Sequence, residues 1–154
     1  MPIWKYPVHL LAYGFGTGLV PVAPGSFGTL VGVALYRVMG SLRPLHYWLI
    51  TALMWIVGVP ICEQTAADLG AHDPGAIVWD EIVGYLIAVY GLPRRWGWLA
   101  AGFVVYRLFD VWKPYPIGVT EEAFGVGVSI MADDVVAGMY ALCVLHLVRW
   151  ALKR

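Results

Sequence analysis

The sequence predicts an all-α, multi-pass transmembrane bundle of about four to five hydrophobic helices, a single membrane-embedded domain over residues 1–154. Three observations carry that expectation. Hydrophobic residues make up 60% of the chain and charged residues 13%, against about 25% charged in an ordinary soluble domain. A chain of this length has too little interior to hide so much apolar surface. Eight Trp and nine Tyr supply amphipathic rings of the kind that favour membrane–water interfaces. Finally, the apolar runs are too long and continuous for strands, and an open sheet cannot leave its edges in lipid.

Five apolar segments follow one another, separated by short polar or Gly/Pro-marked connections. The first, about Phe27 to Met39, is short. The second, Leu45 to Cys62, is the clearest span, with His46 near its start as its one titratable side chain besides Tyr47 and Cys62. Its 18 residues cover about 27 Å at 1.5 Å per residue, close to the bilayer core. The third runs from Ile77 to Leu92 and ends at Pro93-Arg94-Arg95. The fourth runs from Trp96 to Phe109 and the fifth from Val135 to Trp150. Several fall short of the roughly 20 residues of a clean span, so tilt or partial interfacial placement is expected.

Other classes are disfavoured. Zero formal net charge gives no basic face for nucleic acid. Cys62 and Cys143 sit in apolar runs without CxxC spacing, which points to packing rather than a disulfide or zinc. Met1 to Leu11 lacks a proper apolar core and cleavage site, so no signal peptide is expected.

Alternation of direction places the polar motifs. The start of segment one, the end of two, the start of three, the end of four and the start of five share one membrane face. Gly14-Phe15-Gly16-Thr17-Gly18 through Pro24-Gly25-Ser26-Phe27-Gly28 precedes segment one. Glu63, Asp68, His72, Asp73, Asp80 and Glu81 lie between two and three. Arg107, Asp110 and Lys113 close four, and Glu121, Glu122, Asp133 and Asp134 precede five. All ten acids fall on this face. Arg43, Arg94, Arg95, Arg149, Lys153 and Arg154 lie on the other.

Carboxylates crowded at a membrane face repel one another and are costly to desolvate, so they need partners. A divalent cation relieves the repulsion, and hard oxygen ligands favour Mg²⁺, Mn²⁺ or Ca²⁺ over zinc. Asp110 sits one turn from both Arg107 and Lys113. Acids for a metal with bases beside them are the ingredients of phosphoryl chemistry, in which the metal activates water and the bases hold phosphate oxygens. Plainer readings stand beside this one. Asp80 and Asp133 also suit helix N-termini. Arg107 and Asp110 also suit a structural ion pair. Trp79 and Trp112 suit interface anchors, and His72 a surface position. The Gly14-x-Gly16-x-Gly18 run lacks the strand context of a dinucleotide fingerprint; a loop with close backbone packing or a phosphate cradle of N–H groups both fit it. Cys143 and Arg149 stand at Cys-x₅-Arg spacing, but inside an apolar run that suits packing; no Asp-x-Asp is present, and His9, His46 and His146 lie outside any Ser-Gly-His or Arg-x₅-His arrangement. With no covalent nucleophile evident, direct attack by metal-activated water is the expected route.

Three motifs resemble signatures of the phosphatidylglycerophosphatase A family: His72-Asp73-Pro74-Gly75-Ala76-Ile77-Val78-Trp79-Asp80-Glu81, Arg107-Leu108-Phe109-Asp110-Val111-Trp112-Lys113-Pro114-Tyr115-Pro116-Ile117, and Gly125 through Asp133-Asp134 to Gly138. Gly14 to Gly18 and Ala23 to Gly28 also match. The likeness runs in order from about Leu10 to Tyr140. It implies an enzyme that removes the terminal phosphate of phosphatidylglycerophosphate to give phosphatidylglycerol, using Mg²⁺, in phospholipid biosynthesis at the bacterial inner membrane. Carried over by position, Asp80, Glu81, Asp110, Asp133 and Asp134 are the catalytic candidates. The same five with Asp68 are the metal candidates. Arg107 and Lys113, with Thr17, Gly25 and His72, are the candidate substrate contacts. Glu121 and Glu122 match no motif and are left out. The partners implied are the phospholipid substrate and the bilayer.

The likeness implies a cytoplasmic site, yet the basic residues lie mainly on the opposite face, which the positive-inside tendency would place in the cytoplasm. A first segment too short to span would reconcile the two. Two other functions remain in view. A CDP-alcohol phosphatidyltransferase needs an Asp-x₂-Asp-Gly-x₂-Ala-Arg pattern, absent here. A cation-binding channel or transporter would want acids at mid-membrane depth, and a structural subunit would leave the clustered acids without a purpose.

Overall fold

The computed structural model describes residues 7–71, 74–117 and 124–153. It is all-helical, with no strand among the described residues. Among the described residues six α-helices follow in order: α1 Pro7–Ala12, α2 Pro24–Met39, α3 Pro44–Leu69, α4 Trp79–Ala88, α5 Trp96–Trp112 and α6 Val126–Ala151, with a 3₁₀ turn at Thr17–Leu19. Pro opens α2 and α3 at the first helical position, where its missing N–H costs nothing.

The five apolar segments each became a helix with shifted ends. The third segment closes early, at Ala88, because Gly91 turns the chain at φ +74, a conformation glycine adopts freely. The fifth opens nine residues earlier than expected, at Val126. Asp133 and Asp134 therefore sit about two turns inside α6 rather than at its start. Glu63 and Asp68 belong to the last turns of α3, not to a connection.

The expected four to five spans are not all long enough. Among the described residues two helices, α3 and α6, have the length and apolarity to cross a membrane. With 10 residues, α4 rises only about 15 Å, and α2 with 16 residues about 24 Å, against a hydrocarbon core of about 30 Å. In α3 only 28% of the most apolar stretch is buried; Leu45, Leu49, Leu53 and Ile56 all point outward. An apolar helix turned outward in this way suits lipid rather than water.

The short α4 is the centre of the bundle. Residues 82–89 are all buried, and α2, α3, α5 and α6 pack around them. Close approach depends on missing side chains. A Cβ on Gly138 would stand 2.5 Å from the Gly84 carbonyl oxygen, and one on Gly84 would stand 2.8 Å from that of Asp134. Tyrosines tie the neighbours to α4 and its following loop: the Tyr47 hydroxyl donates to Leu86 O at 2.6 Å and that of Tyr36 to Leu92 O at 2.7 Å. Buried hydroxyls of this kind must find acceptors.

Candidate active site

Helices α2, α4, α5 and α6 bring the polar motifs to one end of the bundle. The turn Ile77 N–H to Pro74 O, 2.9 Å, and the bond Val78 N–H to Ala12 O, 2.9 Å, set the start of α4. Asp80 and Glu81 occupy its first turn, where the helix dipole favours acids. Arg107 and Asp110 lie in the last two turns of α5, and Lys113 ends that helix in a left-handed conformation at φ 47. Asp133 and Asp134 come from the buried face of α6.

These side chains line one cavity of about 240 Å³, with Asp80, Glu81, Arg107, Asp110, Lys113, Ser129, Asp133 and Asp134 as its polar wall. Arg107 pairs with the Asp110 carboxylate and lies 3.5 Å from Glu81 Oε1. Lys113 Nζ is 3.6 Å from Asp133 Oδ2. The Tyr106 hydroxyl donates to Asp134 Oδ1 at 2.8 Å, and Asp134 is within hydrogen-bonding reach of the Asp80 and Asp110 carboxyls. Arg107 is thus more than a partner for Asp110, because it joins α4 to α5.

The charge is not balanced. Five carboxylates face two bases, and Asp80 Oδ1 and Glu81 Oε2 are buried without a hydrogen-bond partner. Burial, then the neighbouring Glu81 charge, pushes the Asp80 carboxyl well above the usual carboxylate range. Burial and the Asp134 and Asp110 charges raise Glu81 in the same way, with Arg107 pulling against them. Unpaired buried oxygens are expensive, so this wall favours a cationic ligand. Its donors are all hard oxygens, which fit Mg²⁺-like ions. Among the described residues no group of three side chains already stands at metal-binding spacing.

The remaining candidates fall elsewhere. Gly25 lies behind the wall: a Cβ there would collide with Glu81 Oε1 and stand 2.9 Å from Arg107 Nη1. The Thr17 hydroxyl donates to Gly14 O at 2.9 Å, and Thr17 does not line the cavity. Nor does Asp68, which is exposed on α3 and bonded to His9 Nε2 and Gln64 Nε2, both at 2.9 Å. His72 and Asp73, like Glu121 and Glu122, lie outside the described residues. Two members of the site were missed. Ser129 stands four residues before Asp133, a spacing that puts both on one helix face. Tyr106 gives no such signal, since its partner Asp134 is on another helix.

An acid-rich cavity with two bases, at the end of an apolar helical bundle, holds the ingredients of phosphoryl chemistry. The phosphatidylglycerophosphatase A family model matches residues 10–149. The chain is 44% identical to phosphatidylglycerophosphatase A of Escherichia coli K12 over 95% of this chain and 87% of that protein. It is likewise 44% identical to phosphatidylglycerophosphatase A of Haemophilus influenzae, over 94% of this chain and 90% of that one. No solved structure matches. The chain belongs to the phosphatidylglycerophosphatase A family.

Proposed function

We propose that the chain hydrolyses phosphatidylglycerophosphate to phosphatidylglycerol and inorganic phosphate, in a Mg²⁺-dependent reaction of phospholipid biosynthesis. The observation that carries this reading is the meeting of Asp80, Glu81, Asp110, Asp133 and Asp134 with Arg107 and Lys113 in one cavity. A Mg²⁺ ion held among these carboxylates would supply Lewis-acid polarisation of the phosphate and a more acidic water. Arg107 and Lys113 hold phosphate oxygens and stabilise the charge that develops on them. A wall carboxylate accepts the proton of the attacking water. The water oxygen bonds to phosphorus as the bond from phosphorus to the glycerol oxygen breaks, and that oxygen leaves as a hydroxyl after taking up a proton. Asp68 and His72 are secondary candidates in this scheme, Asp68 because it is bonded to His9 away from the cavity wall.

Purified protein in detergent should release phosphate from phosphatidylglycerophosphate when Mg²⁺ is present and stop when a chelator is added. Asp80→Asn and Asp133→Asn should each lower the rate at least about a hundredfold, the scale of losing a proton acceptor or a metal ligand. Variants as fast as the parent would remove these residues from the chemistry.

The site is proposed to face the cytoplasm of a bacterial inner membrane, with α3 and α6 spanning. Two apolar helices fit that placement.

A further inference from the structure

We propose that the groove between α2 and α5 takes an acyl chain of the phosphorylated lipid, so that it sets how chain length affects turnover; this rests on the lipid phosphatase reading above. The groove, about 350 Å³, is lined by Leu30 and Val33 of α2 and by Leu99, Ala100, Phe103 and Val104 of α5. Leu99 is its buried floor; Leu30 and Val104, 50% and 56% exposed, are its rims. Its α5 wall repeats every three to four residues, and Arg107 is the next position on that stripe. On the α2 wall, the positions one turn further towards the cavity end at Gly25, which backs onto the same Arg107 guanidinium, 2.9 Å from its Nη1 to an added Cβ. The two walls therefore meet at the phosphate-binding arginine. At the other end, the Arg37 guanidinium lies 4.8 Å from the centre of the Trp96 ring, which also lines the groove. A polar head at Arg107, an apolar trough about 12 Å long between Trp96 and Val104, and a cationic stop beyond it match a phospholipid lying along α5.

A second apolar groove, beside Trp48, Ala52 and Val83, is the natural control. None of its lining residues lines the cavity.

The test compares phosphate release from dipalmitoyl and dihexanoyl phosphatidylglycerophosphate in mixed micelles. Ala100→Trp and Val104→Trp fill the groove from exposed positions, where a larger side chain leaves the core intact. Both should lower the ratio of long-chain to short-chain rate about tenfold, since displacing even two methylenes from an apolar wall is worth that much. Ala52→Trp should keep the parent ratio. Ratios in Ala100→Trp and Val104→Trp equal to the parent's, or a ratio in Ala52→Trp moved as far, would overturn the assignment. A parent that releases phosphate from neither lipid would overturn the phosphatase reading. In that event a phosphatidylglycerol bearing a mid-chain diazirine still reads the groove. Labels on α2 and α5 around Leu30 and Val104, suppressed by excess unlabelled lipid, support it. Labels confined to α3 around Ala52 refute it.

Discussion

Gly25 owes its place to the two side chains behind it. Alanine is the better helix former by about 1 kcal/mol, and the position is inside α2, so backbone preference alone favours Gly25→Ala. The added methyl, however, would occupy the space of Glu81 Oε1 and crowd both terminal nitrogens of Arg107. Those are flexible side-chain ends, so the fold accommodates the methyl by moving them. The variant should melt no lower than the parent and yet lose about a hundredfold in phosphate release, the usual cost of displacing a positioned group by about 1 Å. Parallel melting and activity measurements check this, and an unchanged rate would mean that the contact of Gly25 with Arg107 has no part in catalysis. At this scale the sequence was readable where chemistry travels with spacing. Asp110 with Arg107 and Lys113, and the paired acids Asp80-Glu81 and Asp133-Asp134, all reach the cavity. Asp68 did not follow, because its charge gives no sign that a buried His9 waits for it across 59 residues. Gly25 was legible as a candidate contact but not as the backing of an arginine.

Among the helices, α4 and α6 hold the site together, and their contact depends on two glycines. Gly84 and Gly138 face each other so closely that a Cβ on Gly138 would meet the Gly84 carbonyl oxygen at 2.5 Å, while one on Gly84 would meet the Tyr106 hydroxyl at 2.5 Å. The obstacle to Gly138→Leu is backbone, which cannot rotate away. The substitution should cost about 1–3 kcal/mol, the range for overpacking, and lower the melting temperature in detergent. It should also lower activity, because Tyr106 and Asp134 sit at that crossing. Val104→Leu, on the outward face of α5, is the control that should leave stability alone. The existence of α2 to α6 was legible from apolar runs, and the start of α5 at Trp96 from the preceding Pro93-Arg94-Arg95, while α3 opens at Pro44, one residue before the expected Leu45. The early start of α6 was not. Gly125 and Gly127 look like a loop in the sequence, whereas Gly127 lies against the Val59 carbonyl of α3, so tertiary contact overrides its weak helix propensity. The number of spans was overestimated for a related reason. Apolar content marks a segment as buried, and α4 is buried by protein on every side rather than by lipid.

Across the whole molecule, the described acids gather at one end with Arg107 and Lys113 among them, while Arg37, Arg43, Arg94, Arg95 and Arg149 lie at the other. A short first segment does not remove the conflict with charge bias. The two long helices alone carry it, since α3 runs from the basic end to the acidic end and α6 runs back. The arginines at the basic end have work that is independent of the membrane's sidedness. Arg37 Nη1 donates to Arg94 O and Arg94 Nη1 to Arg37 O, both at 3.0 Å, and Arg149 Nη1 donates to Gly91 O at 2.5 Å. They satisfy carbonyls at the end of α2 and in the loop after α4, groups that a helix end leaves without partners. Positive-inside bias is a statistical tendency, and residues already required for capping weaken its force here. An alkaline phosphatase reporter fused after Arg154 should therefore be active, which places the basic end outside and the acid-rich cavity in the cytoplasm. A cysteine introduced at Ser41, in the exposed turn between α2 and α3, should be labelled from outside intact cells by a reagent that cannot cross the membrane. An inactive reporter and a shielded Ser41→Cys would together reverse the orientation and put the cavity on the outer face, with Arg37, Arg94 and Arg149 in the cytoplasm as charge bias alone predicts.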